Sequence, residues 1–242
     1  MNVRKRHGSY GFDAPWALAG LLFGAIMLLA LAGVSFVLDI PAAGVAFALG
    51  GLYTLTSAAS YLYTTRRGKF VVWAAELRRL EGDERLLDLG CGRGAVLLLA
   101  AERLARGRAT GVDRWSTKDQ SGNKEAATRA NAVAEGVSDR VELVTGDIRE
   151  LPFADGAFDV IVSSQVIHNV RDAEGRTRAL GEAYRVLRPG GLMLIADFQH
   201  APAYEATLRD LGVTDVRRRD AGRRFWYGGP WFRTELVEAR KP

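Results

Sequence analysis

A run of glycines beside an acid is the first feature of this chain whose residue types and spacing suggest chemistry. In LLDLGCGRG, Leu86 to Gly94, an apolar strand breaks into glycines at alternate positions, Gly90, Gly92 and Gly94. Glycine accepts positive φ and carries no Cβ, so such a loop lets backbone approach a ligand closely. Gly90-x-Gly92-x-x-Ala95 satisfies the dinucleotide-binding fingerprint. Asp88-x-Gly90-x-Gly92-x-Gly94 equally satisfies a second nucleotide loop, so these residues alone leave the nucleotide open. Asp113 ends a second apolar run, Asp147 follows a third, and His168 follows a fourth. Carboxylates suit sugar hydroxyls and amines, and an imidazole with a pKa near ~6.5 suits proton transfer.

The elements that must hold these residues follow from periodicity. Lys69 to Leu80 reads as a helix, then Arg85–Leu89 as a strand, Ala95–Ala105 as a helix and Arg108–Asp113 as a strand. Helix Lys124–Glu135, strands Val141–Thr145 and Phe158–Ser163, helix Glu174–Leu187 and strand Leu192–Ala196 continue the alternation. Helix Ala203–Leu211 leads to last strands near Val213–Arg219 and Thr234–Ala239, joined by a loop too short for a crossover helix. Strands separated by helices imply a mostly parallel sheet covered on both faces, and the final pair must be antiparallel. The sixth strand is expected to run parallel to its neighbours.

Before this domain come two uncharged runs, Trp16 to Leu38 and Ala42 to Tyr63, separated by Asp39-Ile40-Pro41. Each is long enough to span a bilayer, and together they read as a helical hairpin. A signal peptide would have a shorter apolar core and no second run at once. Arg4, Lys5 and Arg6 precede the first span, and Arg66, Arg67 and Lys69 follow the second, which puts both termini in the cytoplasm of an integral membrane protein. Trp16, Tyr61 and Tyr63 fall where interfacial aromatics would anchor the ends, and Gly20-x-x-x-Gly24 would let the helices approach. The chain therefore divides into residues 1–65, a tail and hairpin, and residues 66–242, the soluble domain. Its 242 residues carry a net charge of +5, which suits an anionic membrane surface as well as nucleic acid. A single cysteine, Cys91, excludes an internal disulfide and a cysteine-cluster metal site, and no metal is expected.

From Lys69 onward the chain resembles the class I S-adenosylmethionine (SAM)-dependent methyltransferases. LLDLGCGRG is similar to their first motif, GVD (Gly111 to Asp113) to the ribose-binding strand end, and GDIRELPFADGAFDVIVSS (Gly146 to Ser164) to the adenine-contacting acid and fourth strand. LRPGGLMLIAD, Leu187 to Asp197, resembles their turn into the fifth strand. The resemblance implies an α/β fold, a seven-stranded Rossmann-like sheet with an antiparallel last strand, here preceded by the two-helix transmembrane hairpin. It implies SAM as cofactor, held by Asp88, Gly90, Cys91, Gly92, Gly94, Asp113, Arg114, Trp115, Asp147, Ile148 and Ser163. A short-chain dehydrogenase would need Tyr with Lys four positions later, and Tyr184 is followed by Arg188.

On the substrate side, SSQVIHNV (Ser163 to Val170) offers Gln165, Asn169 and His168, the last as a general base or as a packing residue. The chain lacks the Asn/Asp-Pro-Pro-aromatic tetrapeptide of methyltransferases acting on adenine or glutamine amino groups, which disfavours nucleic acid. A polar insertion, Arg114 to Asn123, reads either as a loop with Asn123 or Ser121 as helix N-cap, or as a flap bringing Trp115, Asp119 and Gln120 to the site. RRRDAGRRFWYGGPWF, Arg217 to Phe232, interleaves arginines with aromatics; Arg223, Arg224, Phe225, Trp226, Tyr227, Trp231 and Phe232 are expected near a substrate entrance facing lipid. His200 is expected to be a bystander. The expected activity is methyl transfer to a small or lipophilic acceptor: a lipid headgroup, quinone or terpenoid ring, thiol or phenol. An RNA methyltransferase and a silent SAM-binding module are the alternatives.

Overall fold

The computed structural model describes residues 5–117 and 120–242. Pro15–Val37 (α1) and Pro41–Tyr63 (α2) form the expected hairpin. A proline opens each helix in its first turn, where its missing N–H leaves no bond unmade. Both helices are long and apolar enough, by length and composition, to cross a membrane. Their outer faces expose Phe23, Ile26, Val37 and Leu49. Gly20 and Gly24 do not bring the helices together: a Cβ on Gly20 would meet nothing, and on Gly24 only Thr54 at 3.9 Å. The close approaches are at Gly44 and Gly51, where a Cβ would lie 2.7 Å from Phe36 and 2.8 Å from Leu29.

The second helix does not stop where its apolar run stops. A π-turn, Thr64–Gly68, carries it into Lys69–Glu76 (α3) and a 3-10 turn, Leu77–Arg79, as one helix from Pro41 to Arg79. No linker therefore separates residues 65 and 66. At the π-turn the helix meets the loop after the sixth strand. The Thr64 hydroxyl donates to the Trp226 carbonyl at 2.8 Å, and a Cβ on Gly68 would collide with the Arg224 carbonyl.

Arg85–Leu89 (β1), Arg108–Asp113 (β2), Val141–Thr145 (β3), Phe158–Ser164 (β4), Leu187–Asp197 (β5), Val216–Asp220 (β6) and Glu235–Arg240 (β7) form one sheet in the order β3-β2-β1-β4-β5-β7-β6. The first five strands are parallel, and β7 lies antiparallel between β5 and β6. The sixth strand pairs with β7, antiparallel as expected of the final pair, and lies at the sheet edge without the parallel neighbour also expected for it. Two reversals still point its carboxyl end the same way as those of β1 and β4. Helices Ala95–Ala101 (α4), Glu125–Glu135 (α5), Ala173–Val186 (α6) and Ala201–Asp210 (α7) complete the layers. One core packs Trp73 of α3, Leu77 of the 3-10 turn and Leu97 of α4 against the sheet; the other packs Leu180 of α6 and Tyr204 of α7. Trp73, 1% exposed, also donates its indole N–H to Ser164 Oγ at 2.9 Å, bonding the long helix to the end of β4.

The N-terminal arm, residues 5–14, lies along α5. His7 and Gly8 N–H groups both donate to Glu135 Oε1 at 2.9 Å, Ser9 N–H to Asn131 at 2.8 Å, and Phe12 N–H to Ser121 Oγ at 2.9 Å.

Candidate active site

Strand order reverses between β1 and β4, and there a cavity of about 570 Å³ opens at the carboxyl ends of the strands. Open α/β sheets bind ligands at such a reversal, and the volume is that of a small-molecule site. The loop after β1 forms one wall. Gly90 and Gly92 take φ of 66° and 51°, and a Cβ on Gly90 would lie 2.3 Å from Val166. Only glycine fits.

Asp113 organises this end of the cavity. Its carboxylate accepts from Gly92 N–H at 2.8 Å, Trp115 N–H at 2.6 Å and Asn123 Nδ2 at 3.2 Å. A carboxylate has about four acceptor positions, so one is left for a ligand hydroxyl. Asp88, 2% exposed, sits beneath the loop, and burial pushes its carboxyl well above the usual carboxylate range; the Asp113 charge adds to this and the Leu97 N–H opposes it. Asp147 has the contrary environment. Arg149 grips it with two N–H bonds of 3.0 and 2.7 Å, and with its own backbone N–H and nearby Arg114 lowers the carboxyl to about 2.

Two acceptors lining the cavity, Asn123 Oδ1 and Gln165 Oε1, are buried without a hydrogen-bond partner. Leaving such an atom unpaired costs on the order of 1–3 kcal/mol, which a ligand donor would recover. Gln165 also has a backbone φ of 59°, held by its N–H bond of 2.8 Å to Ala196 and a side-chain bond of 2.9 Å to Thr234. Backbone strain at a non-glycine residue of this kind clusters at functional sites.

A second group in the lining was visible only in part: Gln120 and Tyr227 were expected near the site, and Asp13 and Lys69 were not. Lys69 Nζ lies 2.9 and 2.7 Å from the two Asp13 carboxylate oxygens, Tyr227 donates its hydroxyl to Asp13 at 2.9 Å, and Gln120 Nε2 donates at 3.2 Å. Burial, then the Asp13 charge, pushes the Tyr227 phenol well up, so it stays a donor. All four residues line the cavity. Lys69 was expected among cytoplasmic flanking charges; it is 5% exposed and paired. Tyr61, expected at an interface, is 6% exposed and donates to the Asp13 carbonyl at 2.7 Å.

Of the expected site residues, Asp88, Gly90, Cys91, Gly92, Asp113, Arg114, Asp147, Ile148, Gln165 and Asn169 come together around this one cavity. Burial pushes the Cys91 thiol well up, so it lines the wall as a neutral group. Gly94, Trp115, Ser163, His168 and Trp226 are not in the lining. Gly94 opens α4, and the Trp115 indole donates to Thr145 at 2.8 Å. Ser163 donates to the Leu89 carbonyl at 3.4 Å, and Trp226 to Asp220 at 3.2 Å. His168 is held against buried Asp197, with Nδ1 2.7 Å from Oδ1, and its ring packs on Phe198. Asp119 lies outside the described residues. Asn123 caps nothing: it faces Asp113, and α5 starts without a side-chain cap.

Residues 87–195 match the protein-family model described as a methyltransferase domain. A ubiquinone/menaquinone biosynthesis C-methyltransferase of Roseobacter denitrificans is 38% identical over 119 residues, 49% of this chain and 44% of the relative. A demethylmenaquinone methyltransferase of Thermus thermophilus is 34% identical over 129 residues, 53% of this chain and 54% of the relative. The chain spans about half the length of these curated relatives. Among solved structures, the (4+2)-cyclase SpnF superposes with a TM-score of 0.59 at 23% identity, over 73% of this chain and 82% of that one. That likeness shows the fold alone, and a fold hosts more than one chemistry.

Proposed function

We propose, from the premise that residues 87–195 form a class I SAM-dependent methyltransferase domain with SAM as its methyl donor, that the chain methylates a lipophilic ring acceptor of quinol or phenol type taken from a membrane. One observation carries the acceptor class. The cavity that Asp88, Asp113 and Asp147 line is also lined by Asp13, Lys69 and Tyr227, which Gln120 joins to the glycine loop. Asp13 lies two residues before α1 and Lys69 directly follows the π-turn after α2, so this part of the lining adjoins the two apolar helices. The names of the matched relatives, a ubiquinone/menaquinone biosynthesis C-methyltransferase and a demethylmenaquinone methyltransferase, point to the same chemical class.

The residues fit SAM. The free position on Asp113 suits a ribose hydroxyl, and the orphaned Asn123 and Gln165 oxygens suit ligand donors. Asp88 suits the cationic methionine end, a charge that would favour its ionised form. Bound there, SAM supplies a methyl group on a sulfonium sulfur, an electrophile that needs chiefly a nucleophile held in line. Lys69, fixed by Asp13, presents a positive charge that stabilises an acceptor oxygen as its proton passes to solvent water. That oxygen makes the adjoining ring carbon nucleophilic, and the carbon, once methylated, releases its own hydrogen as a proton to solvent. Tyr227 keeps Asp13 in place. His168, outside the cavity lining, serves as a packing residue that orders the turn after β4.

In this reading α1 and α2 span the bilayer, residues 1–65 anchor residues 66–242, and the catalytic domain lies on the cytoplasmic side. The large exposed apolar residues of the hairpin and the basic residues at both its ends support it. The loop 223–232 adds a lipid-facing edge: Trp231 is 79% exposed and its indole donates to the Tyr53 hydroxyl on α2 at 2.7 Å. The test is methylation by full-length protein in lipid nanodiscs, followed by mass spectrometry, with a demethylated quinol in the bilayer and SAM in the buffer. A product heavier by one methylene unit is expected. Methylation of water-soluble acceptors alone, with the quinol untouched, would overturn the assignment.

A further inference from the structure

Methyl transfer makes no use of a second cavity, of about 900 Å³, formed between the N-terminal arm and the π-turn. Lys5, Arg6 and Phe12 line it from the arm, and Thr65, Arg66 and Arg67 from the helix. Among the described residues no carboxylate is in the lining. Arg6 is paired with Glu102 and Glu135, but among the described residues Lys5, Arg66 and Arg67 form no ion pair. Arg66 stacks on the Phe12 ring at 4.4 Å, which fixes its place without neutralising it. Thr65 is 1% exposed, and its hydroxyl has no hydrogen-bond partner. A buried hydroxyl left unpaired is destabilising, and an oxygen-bearing ligand would pair with it.

We propose that this cavity binds the phosphate of an anionic phospholipid headgroup, a proposal that rests on the membrane reading of the hairpin. Arginine forks match phosphate oxygens, and three uncompensated cations call for a ligand of net negative charge. A zwitterionic headgroup would bring its own ammonium into the cluster. The location selects the lipid over free phosphate: the arm runs into α1 at Pro15 and the π-turn continues α2, so the cavity lies where both apolar helices end. That is headgroup depth in a bilayer. Phe12 and Phe70, also in the lining, supply an apolar wall for the glycerol and upper acyl chain.

Native mass spectrometry of the full chain in detergent, titrated with phosphatidylglycerol, phosphatidylcholine or inorganic phosphate, tests this. Wild type should retain one phosphatidylglycerol that phosphatidylcholine does not displace. The pair Arg66→Gln and Arg67→Gln should weaken retention at least about tenfold, with S-adenosylhomocysteine binding reporting that the domain is folded; Lys5→Gln, on the opposing wall, should weaken it independently. Equal retention of both lipids, or no loss in either variant, would overturn the site. Saturation by inorganic phosphate with no lipid retained would overturn the lipid source. Failure of the membrane reading has a separate signature: a chain that stays in solution without detergent.

Discussion

Replacing Asp13 by Asn would remove the only carboxylate that Lys69 contacts among the described residues. The Lys69 side chain is 6% exposed, so the ammonium would be left buried and unpaired. Stripping one partner from a buried pair costs about 3–5 kcal/mol. The Asp13 side chain is 20% exposed, and water reaching the gap reduces the penalty to roughly 2–3 kcal/mol. For a domain of this size that corresponds to a drop in Tm of about 4–12 °C. Lys69→Met should cost less, about 1–2 kcal/mol, because Asp13 keeps the Tyr227 and Gln120 donors and partial access to water. With both substitutions present no buried charge lacks a partner, so the double variant should be at least about 1.5 kcal/mol more stable than the sum of the singles implies. Thermal unfolding by near-UV circular dichroism in one detergent, across the four proteins, measures the coupling. Effects that add within about 0.5 kcal/mol would refute a buried pair tying the arm to the long helix.

Asp113→Ala should weaken S-adenosylhomocysteine binding about 10- to 100-fold in calorimetry, and unchanged affinity would remove Asp113 from the cofactor site. Arg149→Met should raise the Asp147 carboxyl from about 2 toward ~3.9, followed by carbon-detected NMR. Because the folded value is depressed, the Arg149 contact stabilises the protein at pH above about 4, and that advantage over Arg149→Met fades as pH falls toward 2. The Cys91 thiol, held protonated by burial, should resist alkylation at pH 8 until the protein unfolds; rapid labelling of folded protein would contradict its placement. Trp231→Ala should reduce methylation of a bilayer-held quinol several-fold and leave S-adenosylhomocysteine affinity alone, and loss of both would make the loop structural.

The sheet was legible because its signals are local. Each strand is a short apolar run bounded by glycine, charge or turn residues, and β1 and β2 fall where periodicity puts them. The cofactor end of the cavity was legible for the same reason: Gly90, Gly92 and Asp113 are fixed by loops adjoining those strands. The group around Lys69 was legible only in part: Tyr227 was expected near the entrance, but Asp13 and Lys69 each flank an apolar run, which gives a charge an ordinary explanation. The reversal of β6 and β7 left no helix in the sequence, so antiparallel pairing could be inferred, but not the placement of β7 inside β6. His168 shows the converse limit. Its position after β4 suggested proton transfer, and only Asp197, distant in sequence, reveals where the ring is held.

The unbroken helix from Pro41 to Arg79 has a kinetic consequence. A catalytic domain on a loose linker sweeps a hemisphere above its anchor and meets acceptors at many heights. Here helical hydrogen bonds run through the junction, the loop after β6 grips the π-turn, and Trp73 bonds the same helix to β4, so the domain has no hinge at which to swing. With the hairpin in a bilayer, the mouth of the cavity stays at one depth and one tilt. The acceptor must then arrive by lateral diffusion in the plane. Turnover would follow the mole fraction of acceptor among the lipids, and diluting the membrane with inert lipid would slow the enzyme at constant bulk concentration.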